Sequence, residues 1–343
     1  MMLIRPIEKN DIDALYTMAE NAGVGFTSLP ADRQLLKDKM AAAEKAFNSD
    51  DNNESNQSYL FVLEDTENQA IAGVCGIESA LGLDSPWYNY RLGTLVHASP
   101  SLKVYGQSKT LSLSNDHTGY SELCTLFLSQ DYRHSKNGSL LSKSRFMFMA
   151  NFPNRFHQRV IAEMRGVSDD EGNSPFWNGL GAHFFSMPFA QADNLSGLGN
   201  KSFIAELMPK LPIYIDLLSP SVQAVIGQVH ENTLPALKML ENEGFQNLGY
   251  VDIFDGGPTI EADVRHIRAI NQNKIYPVCI GQPSSTHLQI VSNTGCTSYR
   301  CTLANADKLP SGELLIDAKT AKALNLKTGD LIRSVSLSST SLS

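Results

Sequence analysis

Two features of this sequence have residue types and spacing suited to chemistry. The first is an apolar run, Glu122-Leu123-Cys124-Thr125-Leu126-Phe127-Leu128, that passes through Asp131-Tyr132-Arg133 into His134-Ser135-Lys136-Asn137-Gly138-Ser139-Leu140-Leu141. This reads as a strand, a basic turn containing glycine, and an immediate helix start. Such a helix N-terminus offers unpaired backbone N–H groups and a partial positive charge, which suit a pyrophosphate. Arg133, His134, Lys136, Lys143 and Arg145 concentrate positive charge there, although Lys143 reads as part of a solvated helix face. The second feature is His230, which ends the apolar strand-like run Val225-Ile226-Gly227-Gln228-Val229-His230 just before a helical stretch. A ring that titrates near neutrality can exchange protons with a substrate. It can equally be a structural histidine bonded to the start of its own helix. Ser114-Asn115-Asp116-His117 has the residue types of a hydrolase triad, but adjacent residues do not converge as nucleophile, base and orienter. No Gly-x-Ser-x-Gly elbow occurs.

The elements that position these residues follow from hydrophobic pattern and caps. Leu3-Ile4-Arg5-Pro6 reads as a strand, followed by an Asn10/Asp11 cap and a helix. A polar helix covers about 31–48, and the Asp/Asn/Ser-rich stretch 49–58 reads as a surface loop. Two strands, 59–65 and 70–78, are joined by a polar turn. An insertion rich in aromatic and polar residues occupies 80–120; the strand and loop-helix at 123–150 follow, then a strand at 159–166. Two phrases, 174–185 and 225–245, have similar text ending in a Gly-containing helix cap. They read either as a degenerate half-repeat near 203–262 or as two helices with similar ends. From about 275 short alternating strands, a helix at 320–326 and a Gly329-Asp330 turn suggest a small β-barrel-like lobe. The expected division is 1–272 and 273–343.

Bulk properties narrow the class. The chain has 343 residues, 42% hydrophobic and 19% charged, as in an ordinary globular protein of one large domain or two. No apolar run approaches the roughly 20 residues of a membrane span, and the N-terminus lacks the apolar core of a signal peptide. A net charge of −8 leaves no basic face for nucleic acid. Five cysteines with no CxxC pair read as free thiols, and the scattered histidines give no metal-ligand spacing. A reduced, cytoplasmic protein without a metal is expected.

In order, these pieces resemble the GCN5-related N-acyltransferase superfamily. Its coenzyme-A loop is Arg/Gln-x-x-Gly-x-Gly/Ala; Arg133 and Gly138 take the outer positions and Lys136 replaces the middle glycine. Longer phrases resemble the arginine N-succinyltransferase family over residues 1 to about 270. They are Pro86-Trp87-Tyr88-Asn89-Tyr90-Arg91, Leu113 to Gly119, Ser121 to Leu128, Leu140 to Ala150, and Phe254-Asp255-Gly256-Gly257-Pro258-Thr259. The resemblance implies an α/β (α+β) fold with a mixed central sheet and transfer of succinyl from succinyl-CoA to the α-amine of L-arginine, the first step of an arginine-degrading route. It implies that His230 is the proton donor and that Leu126 contacts succinyl-CoA. Arg133, Lys136, Gly138 and Ser139 would hold the cofactor. Leu126 is apolar, so its part would be played by the backbone, where the cofactor strand splays from its neighbour and frees N–H groups for the thioester oxygen. Arg91 and His117 are candidates for the succinyl carboxylate, and Asp116 and Glu122 for the guanidinium. Glu163 and Arg165, on the adjacent strand, are equally suited. The alternatives are a related amine such as ornithine, or a non-catalytic arginine- or CoA-binding subunit. Family members imply a homo-oligomer or pairing with a similar subunit.

Overall fold

The computed structural model describes residues 1–23, 28–49, 56–169, 171–197 and 202–338. Alternating and continuous apolar runs form β1 (Met2–Pro6), β2 (Ser58–Asp65), β3 (Ala70–Glu78), β4 (Asn89–Ser99), β5 (Val104–Ser114), β6 (Ser121–Leu128), β7 (Arg159–Glu163), β8 (Ile213–Tyr214), β9 (Gln246–Val251) and β10 (Pro258–Asp263). The last part of the chain adds β11 (Lys274–Ile280), β12 (Leu288–Ser292), β13 (Cys301–Asn305), β14 (Asp307–Lys308), β15 (Leu314–Ile316) and β16 (Leu331–Ser336). Hydrogen bonding links them in the order β14-β15-β11-β16-β12-β13-β1-β2-β3-β6-β7-β10-β9-β4-β5-β8. The fold is mixed α/β, as expected. The C-terminal strands do not close on themselves as a barrel. They continue the main sheet, because β13 pairs antiparallel with β1 through Leu3–Thr302 and Ile4–Cys301.

Helices α1 (Ile12–Ala22), α2 (Arg33–Asn48) and α3 (Asn137–Asn151) are the long ones near the site. Asp32 caps α2 by accepting the N–H groups of Gln34 and Leu35. Phe47 of α2, Phe61 of β2 and Phe148 of α3 meet edge-to-face, 5.1–5.7 Å between centroids, a geometry that adds to simple burial. α3 has no solvated face. Leu140 to Met149 are all buried, because the helix packs against β3 and β6 as well as β12 and β13. Lys143, expected on a solvated face, is enclosed and pairs with Glu243 at 2.8 Å. The final lobe has its own apolar cluster around Val278, Val291, Ile316, Leu324 and Ile332.

The insertion is a long β4–β5 hairpin, in register from Asn89–Ser114 to Ser99–Val104. Near its base β5 also pairs with β8, at Thr110 and Leu111. The two phrases read as a half-repeat fold differently. One is a π-helical turn (Trp177–Gly181) running into Ala182–Phe185; the other is the helix Leu234–Glu241, followed by Gly244 at φ 108.

Candidate active site

A cleft opens where β6 and β7 part. The two strands are parallel and pair only at Ser121–Val160 and Glu122–Ile161, so beyond Glu122 this edge of β6 has no partner strand. On its other side β6 carries a bulge. Cys124 pairs with Gly76 and Phe127 with Val74, which leaves Thr125 and Leu126 opposite Cys75 alone. Thr125 takes a positive φ of 54° to do so, a costly conformation for a β-branched residue. Bulge and separation together turn backbone at Thr125–Leu126 toward the gap. Cavities of about 420 and 270 Å³ adjoin there and share Glu122, Cys124, Glu163, Asp252 and Phe254 in their walls. Leu126, Thr125, Arg165, Asn232 and Thr233 line the smaller one. Cys124 also borders it, but desolvation, and after it the Glu78 and Glu122 carboxylates, push its thiol up. It is a poor nucleophile at neutral pH.

At the far end of β6 lies the basic turn. Ser135 and Lys136 both have positive φ, 52° and 67°, which ends the loop abruptly and starts α3 at Asn137. Lys136 therefore stands in left-handed backbone at the position where a glycine is usual, for the reason glycine is usual there. The Asn137 N–H is taken by the His134 carbonyl at 3.0 Å. Among the described residues, the N–H groups of Gly138 and Ser139 have no hydrogen-bond partner. Arg133, His134 and Lys136 are exposed around them, an anion-binding arrangement. Arg145 does not belong to this cluster: it is buried, and its guanidinium donates to the carbonyls of Ser142 and Cys124 at 3.0 and 3.3 Å.

His230 lies at a helix start rather than at the end of a strand. Only an isolated bridge, Gly166–Val229, precedes it. Its N–H donates to the Arg165 carbonyl at 2.9 Å, and its Nδ1 accepts the Asn232 N–H at 3.1 Å. A backbone N–H can only donate, so Nδ1 is unprotonated and the neutral ring carries its proton on Nε2. Both partners, Arg165 and Asn232, line the cleft. Asp255 braces this corner by accepting the N–H groups of Gly166 and Gly257 at 2.6 and 2.8 Å. Burial, and then the neighbouring Asp252, holds its carboxyl well above the usual range. A side chain on Gly257 would meet the Met164 carbonyl at 2.1 Å, so no other residue fits there.

Of the charged candidates in the insertion, Glu122 enters the cleft and three others lie away from it. Arg91 and Asp116 face each other across 3.7 Å on the surface, and Asp116 accepts the Tyr250 hydroxyl at 2.7 Å. His117 is 2% exposed under the Tyr250 ring. Burial lowers its pKa from 6.5 to about 4, with the charge of Asp116 opposing, so the ring is neutral at pH 7 and offers a carboxylate no charge. The unfolded chain binds a proton below pH 6.5 that the folded chain refuses, so stability falls as pH drops from 6.5 toward 4. That loss is about 2–3 kcal/mol for a shift of this size. Urea denaturation at pH 7 and pH 4.5 should show it in the wild type and much less in His117→Asn. An equal pH response in both would rule out the buried neutral ring. Local residue pattern carries no signal for Asn89 or Asp252, which reach this site from a strand start and a turn.

The chain is similar to proteins already known by sequence and by structure. Residues 2–269 match the family described as "Arginine N-succinyltransferase beta subunit", and 275–336 match its C-terminal domain. An "Arginine N-succinyltransferase" of Escherichia coli (strain 55989 / EAEC) is 52% identical over 340 residues, 98% of each chain. One of Citrobacter koseri is 51% identical, again over 98% of each. Among solved structures, that of "arginine/ornithine succinyltransferase subunit AI from Pseudomonas aeruginosa" superposes with a TM-score of 0.91 at 36% identity, covering 99% of both chains.

Proposed function

The chain belongs to the arginine N-succinyltransferase family, and we propose on that premise that it moves the succinyl group of succinyl-CoA onto the α-amino group of L-arginine. The observation that carries this reading is the cleft between β6 and β7, which combines an open backbone edge with charge suited to both substrates. In the proposed mechanism the cofactor's pyrophosphate sits on the Gly138 and Ser139 N–H groups with Arg133 and Lys136 beside it. The pantetheine then runs along the unpaired edge of β6 to the bulge. Backbone N–H groups at Thr125–Leu126 hold the thioester oxygen as it becomes an oxyanion, worth about 3–4 kcal/mol per donor. The amine attacks the carbonyl carbon, the tetrahedral intermediate collapses, and the C–S bond breaks. His230 Nε2–H hydrogen-bonds the departing sulfur, and the proton that the attacking nitrogen releases as the amide forms goes to the thiolate, so that CoA leaves as the thiol. Glu122, Glu163 and Asp252 suit the guanidinium, and Arg165 suits the succinyl carboxylate.

Thiol release from succinyl-CoA, with and without L-arginine, tests the reading. Release that depends on arginine supports it; release without any amine means hydrolysis, and no release with any amine means a binding subunit. L-Ornithine in place of arginine decides whether the guanidinium is required, and acetyl-CoA decides whether the second carboxylate is. Gly138→Ala tests the cofactor loop. An added Cβ would meet only Leu128 Cδ2 at 3.8 Å, so melting should be unchanged while KM for succinyl-CoA rises about tenfold, as expected for loss of a close phosphate contact. An unchanged KM would place the pyrophosphate elsewhere.

Association with a second copy of the chain is part of this proposal, as is a cytoplasmic location. Among the described residues no helix is long and apolar enough to cross a membrane. The outer β4–β5 ribbon exposes Leu95, Val96, Leu102, Val104 and Tyr105, more apolar surface than a free two-stranded ribbon can carry comfortably. Residues 85–115 contain Arg91, Lys103 and Lys109 and no acidic residue, in a chain of net charge −8. The ribbon therefore suits the acidic surface of another copy. Light scattering should give a mass above one chain, reduced by Val96→Lys with Tyr105→Lys; a monomeric wild type would remove this part of the proposal.

A further inference from the structure

We infer that Asn89 and His117 are positioning residues for the cleft carboxylate Glu163, and so set the affinity for the cationic substrate without touching it. Asn89 is 2% exposed at the start of β4. Its Nδ2 donates to Glu163 Oε1 at 2.8 Å and to Thr259 Oγ1 at 3.1 Å. Its Oδ1 lies 2.8 Å from His117 Nδ1. The amide orientation is fixed by the carboxylate, because an Oδ1 turned to Glu163 would oppose two acceptors. The Asn89 oxygen therefore faces the ring, and His117 Nδ1 carries a proton and donates it. A buried chain of two hydrogen bonds thus runs from His117 through Asn89 to a carboxylate in the cleft wall.

The His117 ring packs on Tyr250 and Tyr120, with centroids 4.4 and 5.4 Å away. Among the described residues its Nε2 is buried without a hydrogen-bond partner; Glu261 Oε2 lies 3.5 Å away, on a carboxylate already bonded to Arg159 at 2.9 Å. An orphaned buried nitrogen costs stability, so a ring serving only to fill space would be better replaced by an apolar side chain. Its one satisfied polar atom is the donor to Asn89. Register explains why support is needed from this side. Glu163 is the last residue of β7, beyond the point where β6 turns away, and its cross-strand partner is Thr259 on β10. Asn89 bonds to both and fixes the carboxylate at the mouth of the separation.

This inference rests on the reading of the cleft as the arginine site, and the test separates the two. With wild type releasing thiol in an arginine-dependent way, KM for arginine and for succinyl-CoA are measured for Asn89→Leu, His117→Leu and His117→Asn. In His117→Asn the amide nitrogen stands where Nδ1 stood, so the donor to Asn89 is kept. The expected result is a rise of about tenfold or more in KM for arginine in the two leucine variants. KM for succinyl-CoA should be unchanged in both, and His117→Asn should lie near wild type. Melting and CoA-binding measurements on each variant establish that it is folded. Proportional changes in both KM values, or His117→Asn behaving like His117→Leu, would overturn the inference. A wild type with no arginine-dependent release would instead overturn the reading it rests on.

Discussion

His230→Ala should lower kcat about 10²- to 10⁴-fold, the usual contribution of a positioned proton donor, and leave KM for succinyl-CoA nearly unchanged. The reason lies in which nitrogen holds the proton. Nδ1 accepts the Asn232 N–H, so the ring presents Nε2–H, the form that can donate a hydrogen bond to a leaving thiolate. The Nδ1 bond orients the ring, and the bond from the His230 N–H to the Arg165 carbonyl fixes its backbone. His230→Gln, whose side-chain amide can still donate a hydrogen bond, should recover part of that loss. Thiol release under saturating substrates gives kcat directly. Turnover within a factor of two of wild type in His230→Ala would remove His230 from the mechanism and leave the β6 backbone to act alone.

Glu243→Ala should cost about 3–5 kcal/mol of folding stability, the penalty for stranding buried charge. Its side chain is fully enclosed, and it bonds Lys143 Nζ at 2.8 Å and Arg268 Nη2 at 2.6 Å, cations only 10% and 9% exposed. It also accepts the Ala269 N–H at 2.8 Å. Removing the carboxylate leaves two enclosed cations and one N–H without their partner. The group joins α3, the turn after the helix Leu234–Glu241, and the end of the chain, since Lys143 and Arg268 also donate to the carbonyls of Leu337 and Ser336. A melting-temperature drop on the order of 10 °C is expected. A combined Lys143→Met, Glu243→Leu, Arg268→Met variant should recover much of it, because an apolar set of similar volume avoids the desolvation cost. A single Glu243→Ala variant melting with wild type would mean that water already reaches the group.

Much of the acyl-transfer framework is written locally. Strand-forming runs, the Asp32 cap of α2, and the turn that starts α3 depend on residues within a few positions of each other. Lys136 in left-handed backbone is a departure from the glycine rule that nonetheless keeps the loop's shape. Local pattern failed where solvation depends on distant elements. Lys143 looks solvated within its own helix, and only the packing of the C-terminal strands and Glu243 against α3 encloses it. The barrel expectation failed for a related reason. Short strands with turns fit a closed or an open sheet equally, and the pairing of β13 with β1, some 300 residues apart in sequence, decides for the open one.

The sequence by itself determined the basic turn that starts α3, the presence of His230 at a helix start, and Glu122 as a charged residue on β6. Each is set by short-range backbone preference, and the family phrases span those same segments. Tertiary structure alone decided which charges meet the cleft. Arg91, Asp116 and Glu122 all look like loop or strand-end carriers of charge. The β4–β5 hairpin turns the first two outward, and the separation of β6 from β7 opens beside the third. Asn89, the neighbouring pair Glu163 and Arg165, and Asp252 come together there from three separate stretches of chain. Such convergence is fixed by strand register and burial, which a one-dimensional pattern does not encode.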